Sequence, residues 1–356
     1  MIPPKTSNTR KILAGLNFSG LDRVYQQLDT EIGMILTFHH VKPVKQPIFA
    51  PNAHLSVHPA FLEEVIKLLK RREFDIISLD EAHERIKNPA KTFTRFAALT
   101  FDDGYKDTLE HAVPVLQKYQ VPYTVYVAPG LIERSADLWW EGIEALIRQQ
   151  DRILLQNKTD SEGPQELDCT TLEKKYRAFD VLLKHLTEEV PEKQQRQRVR
   201  EICWLYKIDL DEILEKEMMG WKDIHQLMSD PLCTMGAHTL NHEALARLDE
   251  AAAKAEVING ASVLEAELGE RPRHFAFPYG YRAAAGAREF ELLKKLRFKT
   301  AVTTRGGMIF PEHKDHLTAL PRISVNGLFQ RLRYFAPLTT GLPTRLSTKF
   351  KRLDVR

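Results

Sequence analysis

Phe96-Ala97-Ala98-Leu99-Thr100-Phe101-Asp102-Asp103-Gly104-Tyr105 runs from a near-continuous apolar segment straight into two adjacent carboxylates and a glycine. Such a segment reads as a strand covered on both faces, the habit of a parallel sheet. Asp102 and Asp103 sit where that strand ends. Neighbours on a regular strand face opposite sides, so a turn at Gly104 is needed to bring both carboxylates to one rim. Taken alone, Asp-Asp-Gly also suits an Asx turn capping a helix. Its setting decides between the two.

Outward from this strand, similar runs recur at Met34–Phe38, Phe74–Leu79, Pro122–Ala128, Leu232–Ala237, His274–Pro278, Phe298–Thr303 and Leu320–Val325. Amphipathic stretches such as Pro59–Arg71 and Asp107–Tyr119 lie between them. Seven or eight β/α alternations predict an α/β barrel rather than an open sheet. The polar motifs follow the same order. His39-His40 follow the first strand, Asp102-Asp103 the third, His238 the fifth and Tyr279-Gly280 the sixth, and Arg322 lies in the last. In a parallel barrel those ends converge on one face, where active sites form.

His238 and His242 stand four residues apart, a spacing that on a helix lets two imidazoles grip one ion. With one carboxylate of the Asp pair they make a three-ligand divalent-metal site, and the other carboxylate stays free to activate water. Phe275-Ala276-Phe277-Pro278-Tyr279-Gly280 ends in a turn whose backbone N–H, that of Tyr279, suits an oxyanion; a plain β-turn reads those residues equally well. From about Asp137 to Asp230 no strand is expected. That interval reads as a helical insertion with a polar loop at Gln156–Cys169, and its charge runs, Gln194–Arg200 among them, read as solvated helix faces. Residues 1–31 are expected to be a helical extension, 32–330 the barrel, and 331–356 a basic tail, read as a solvated end with membrane or polyanion binding as the alternative.

The net charge of +3 is too small to argue for nucleic acid. Three cysteines without C-x-x-C spacing disfavour disulfides and a thiolate metal site. Neither an apolar signal core nor a membrane-length run is found, and a cytoplasmic location is expected.

In combination, Thr100–Tyr105, His238-Thr239-Leu240-Asn241-His242 and Phe277-Pro278-Tyr279-Gly280 resemble the motifs of the NodB-like polysaccharide deacetylases, carbohydrate esterase family 4. Thr37–Val41, Leu138-Trp139-Trp140 and Leu320-Pro321-Arg322-Ile323 add to the likeness, which spans roughly Ile32 to Val325. It implies a distorted (β/α)7-8 barrel that removes acetyl groups from N-acetylglucosamine units of chitooligosaccharide-like glycans. Asp102 would be the base, and Asp103, His238 and His242 the ligands of a divalent metal, zinc first, with cobalt or nickel as alternatives. Tyr279 would offer its N–H to the oxyanion. The family often has an arginine just before the Pro-Tyr-Gly turn to orient the base; here Phe275-Ala276-Phe277 stand there, and Arg322 is the substitute. The late Leu-x-His motif is not evident, so His39 is preferred as the acid, with His40 and His316 as alternatives. The implied partner is an N-acetylated glycan. A non-sugar amide or cyclic imide as substrate, or a non-catalytic glycan binder, are the alternatives.

Overall fold

The computed structural model describes residues 4–26, 30–43, 45–91, 94–155 and 165–355. Seven parallel strands close into a barrel: β1 (Gly33–Phe38), β2 (Phe96–Phe101), β3 (Tyr123–Val127), β4 (Cys233–Ala237), β5 (His274–Ala276), β6 (Thr300–Gly306) and β7 (Leu320–Ser324). They pair in chain order, and β1 lies between β7 and β2 to shut the ring. The expected strand at Phe74–Leu79 is only Asp75–Ile76, which pairs with Phe96–Ala97 at the foot of β2 and stays outside the ring.

The strands alternate sides. Ile35, Phe96, Ala98, Tyr126, Ala276, Val302 and Leu320 share one buried cluster filling the barrel, whereas Met34, Leu36, Phe38, Ala97, Leu99 and Phe101 belong to the larger core under the helices. Both faces are apolar, which is why the strands read as unbroken hydrophobic runs. Counting in twos from Ile35, Ala98 and Leu320 leads to His39, Asp102 and Arg322 on the interior side.

Helices α1 (Pro4–Ser19) and α2 (Leu21–Gln26) precede the barrel, α3 (Pro59–Arg71) follows β1, and α4 (Trp139–Gln149) and α5 (Glu192–Leu205) lie between β3 and β4. After β4 comes α6 (Glu250–Leu268), and α7 (Leu342–Ser347) lies near the C-terminus. In α3, Pro59 at the first turn presets the helix and the His58 ring accepts the Ala60 N–H. Phe61, Leu62, Val65, Ile66, Leu68 and Leu69 bury one face, each worth about 1.5–3 kcal/mol when fully covered.

Two further segments depart from expectation. Between α4 and α5 an antiparallel hairpin joins Arg152–Leu155 to Gln165–Asp168, where a loop had been expected at Gln156–Cys169; residues 156–164 of that loop lie outside the described residues. The signal was an alternation of only four residues, Ile153 and Leu155 inward and Arg152 and Leu154 outward, too short to separate from the helix before it. The basic C-terminal stretch is folded as well. Phe335, Thr339 and Thr340 are buried, and Arg72 at the end of α3 donates to Ala336 O and Thr339 Oγ1. Among the described residues no helix is long and apolar enough to cross a membrane.

Candidate active site

β1 and β2 run in step from Gly33 opposite Phe96 to Phe38 opposite Phe101. The ladder continues one bond further, Asp102 N donating to Phe38 O at 3.0 Å, so that His39 emerges beside Asp102. Asp103 and Gly104 then take left-handed conformations, φ 75° and 85°, which turn Asp103 toward the same mouth. Arg322 is fully buried and holds Asp102 with two parallel bonds, Nη1 to Oδ1 at 2.7 Å and Nη2 to Oδ2 at 2.6 Å. Two further donors are anchored as well, Nη1 to Thr100 Oγ1 at 3.0 Å and Nε to Thr303 O at 2.8 Å. Burial alone would raise the Asp102 pKa, but the guanidinium's charge and hydrogen bonds outweigh it and hold the carboxyl below its ordinary value.

Asp103 faces two imidazoles. Its Oδ1 lies 3.3 Å from His238 Nε2 and 3.1 Å from His242 Nε2. His238 follows β4, its backbone N–H donating to Val127 O on β3, and its Nδ1 lies 2.7 Å from Ala276 O on β5. A carbonyl accepts only, so Nδ1 carries a proton and Nε2 is the nitrogen turned toward Asp103. The two histidines do not converge on a helical face, as their spacing had predicted. They are brought together by an irregular loop in which Thr239 and His242 are left-handed, φ 62° and 58°. Glu256 of α6 accepts the N–H groups of Leu240 and Asn241 and the Asn241 side-chain amide. Gly260 lets the same helix approach closely, since a Cβ there would stand 2.5 Å from Thr239 C and O.

From the other side Arg196 of α5 donates Nη2 to Asn241 O at 2.6 Å and His242 O at 2.8 Å. Arg196 falls in the Gln194–Arg200 run expected to be solvated, yet its side chain is 14% exposed, because α5 turns that face inward with Gln195 and Val199. Nothing in a single charge-rich helix sequence marks which basic residue reaches back to a loop. Arg196→Met is expected to weaken metal retention roughly tenfold, the lower end of what outer-shell partners contribute, measured by competition with a chelating dye. A surface role would leave affinity unchanged.

Asp103, His238 and His242 are all buried, and one donor atom from each lies within 4.8 Å of the others. Burial pushes the His242 pKa down to about 4, so its ring is neutral and offers lone pairs, and its Nδ1 has no partner among the described residues. Burial alone would raise the Asp103 pKa, but the His238 and His242 rings beside it outweigh burial and hold the carboxyl well below its ordinary value. A carboxylate and two imidazoles facing one point fit a divalent ion.

Aromatic rings wall the site. Trp139 and Trp140 are buried; their indole N–H groups donate to Tyr279 OH at 2.7 Å and Tyr105 OH at 3.1 Å. Tyr279 is left-handed (φ 60°), Thr304 Oγ1 donates to its carbonyl, and its amide has no acceptor among the described residues.

The three candidate acids separate cleanly. His39 points inward, Nε2 3.9 Å from Asp102 Oδ2. Burial lowers its pKa, against the pull of the two aspartates. His40 points away, Nδ1 2.6 Å from Asp107 Oδ2, with the Tyr105 ring tilted against it. His316 lies at the opposite end of the barrel, next to Leu317, whose carbonyl accepts from Ala301 near the start of β6. His40, Asp107 and Glu217 also form a metal-like cluster, but Lys42 Nζ already supplies the cation there, bonded to Glu217 and 3.8 Å from Asp107.

Burial opposes the His40 charge, yet Asp107, with help from Glu141, raises its pKa to about 9. A folded-state value above the unfolded one stabilises fully below the unfolded value near 6.5 and is lost as pH rises through 9. Folding stability is therefore expected to fall between those values with a slope approaching 1.4 kcal/mol per pH unit. His40→Gln should flatten that slope in urea titrations at pH 6 to 9.5.

No curated protein sequence matches the chain significantly. Solved structures that share its fold include the deacetylase PplD from Streptococcus pyogenes in complex with acetate, 18% identical over 87% of this chain and 99% of that one, TM-score 0.53. IcaB from Ammonifex degensii is 16% identical over 88% and 99%, TM-score 0.53. BC0361, a polysaccharide deacetylase from Bacillus cereus, is 15% identical over 86% and 68%, TM-score 0.52. Residues 90–300 match the polysaccharide deacetylase family model, more than half of the sequence. The chain therefore belongs to the polysaccharide deacetylase family, hydrolases of carbon–nitrogen bonds other than peptide bonds.

Proposed function

We propose that the protein hydrolyses the N-acetyl group of N-acetylglucosamine-type units in an oligo- or polysaccharide. The observation that carries this reading is the divided use of adjacent carboxylates. Asp103 is tied to His238 and His242, whereas Asp102 is tied to Arg322. Asp103, His238 and His242 would hold the divalent ion, zinc by ligand type, with cobalt or nickel as alternatives. Bound there, it supplies Lewis acidity toward the acetyl carbonyl and acidifies water. Asp102, kept anionic and oriented by Arg322, takes the proton of the attacking water. The Tyr279 N–H donates to the carbonyl oxygen as negative charge develops on it. The proton taken up by Asp102 passes through His39, 3.9 Å away, to the amine nitrogen as the C–N bond breaks. Trp139 and Trp140 keep bulk water from the reacting centre.

Acetate release from a panel of N-acetylglucosamine oligomers tests the reading. Metal-dependent release supports it. Cleavage of small amides or cyclic imides, with no acetate from any sugar, would transfer the same machinery to another substrate.

A further inference from the structure

We propose that the layer formed by the two chain termini is a docking surface for an anionic lipid bilayer. Of the twelve large hydrophobic residues exposed among the described residues, six lie here: Ile12 (60%), Phe18 (94%), Leu21 (59%), Val24 (58%), Leu346 (47%) and Phe350 (53%). An even spread along the chain would have put only one or two in so short a length. On α1, Lys11, Ile12, Gly15 and Phe18 form one exposed helical face, while Leu13 is buried beneath. The layer is continuous. Arg345 of α7 hydrogen-bonds Tyr25 of α2, and Arg10 of α1 donates to Leu328 O.

Charge names the occupant. Residues 1–26 and 326–356 carry eleven basic and two acidic side chains, a net +9. The whole chain is +3, so residues 27–325 amount to −6. Lys11, Arg331, Arg333, Lys349, Lys351 and Arg352 are exposed on this layer. A second copy would set +9 against +9. An anionic membrane answers both features, apolar side chains entering the interface and lysines and arginines lying over the headgroups. The layer also adjoins the site's mouth: Gly327, beside Leu328, packs against the carbonyls of Ala53 and Ser56, which flank His54, a charge neighbour of His39. Docking there would bring the mouth near the bilayer, where a lipid-linked glycan is presented.

The test is flotation of the full chain with vesicles of phosphatidylcholine containing 30% phosphatidylglycerol, against phosphatidylcholine alone, at low and high salt. Expected is binding to the anionic vesicles, weakened at least tenfold by salt, by Lys349→Glu with Lys351→Glu, and separately by Phe18→Ser with Phe350→Ser. These exposed positions should leave the melting temperature and acetate release from soluble oligomers unchanged. Equal binding to neutral vesicles, no binding at all, or variants that bind like the parent would overturn the proposal. So would light scattering that finds a dimer dissociated by Phe18→Ser, or nucleic-acid binding in place of vesicle binding.

Discussion

Asp102→Asn is expected to lower kcat/KM by a factor of roughly 10³ or more while leaving the metal content unchanged. General-base catalysis contributes about 10²–10⁴, and Asn cannot take a proton at neutral pH. The ligand cluster is separate: Asp103, His238 and His242 meet one another, whereas Asp102 makes its short contacts to Arg322. The substitution also leaves a fully buried guanidinium without its counter-ion, and removing one partner of a buried pair costs about 3–5 kcal/mol. The amide oxygen still accepts one bond, so the loss should fall at the low end of that range. Acetate release, metal analysis and urea unfolding on one preparation separate the three effects. Lost metal together with lost activity would instead make Asp102 a ligand.

Arg322→Met acts on the same pair from the other side and is expected to change the pH profile as well as stability. Arg322 holds the Asp102 pKa below its ordinary value. The stabilisation from this group is present above the unfolded value near 3.9 and is lost as pH falls through the lower folded value. Without the guanidinium, burial dominates and the carboxyl's pKa rises. The acid limb of kcat/KM should then move to higher pH by about one to three units, the usual effect of an adjacent opposite charge. Stability at pH 7 should drop by about 3–5 kcal/mol. Arg322→Lys should rescue little, since one ammonium cannot reproduce two parallel bonds to Asp102 and a third to Thr303 O. An unchanged acid limb in Arg322→Met would remove Asp102 as the titrating base.

Most of the barrel was legible because its strands are buried on both faces and therefore read as apolar runs. The strand at Phe74–Leu79 read equally well but pairs only at the foot of β2, and pairing is a tertiary fact that no run of residues announces. Asp102, Asp103 and His238 were legible as polar residues at strand ends, His242 by its spacing and Arg322 as a charge within the last strand, and the structure brings them to one mouth. The choice between His39 and His40 was open in the motif yet recoverable. Counting in twos from Ile35 inside the barrel reaches His39, and His40 falls on the helix side beside Asp107. The His238–His242 spacing was informative for a reason other than the expected one: left-handed residues at Thr239 and His242, rather than a helix turn, close the pair. Arg196 and Glu256 could not be found this way, since both hold the loop through backbone contacts from distant helices.

In the proposed mechanism Asp102 performs chemistry beside a metal it does not hold. The most direct measurement is acetate release from N-acetylglucosamine oligomers by the parent and Asp102→Asn, each loaded with zinc and assayed for bound metal in the same sample. About one ion per chain is expected in both, and acetate from the parent alone. Acetate from Asp102→Asn at the parent's rate would contradict it, as would metal lost from that variant.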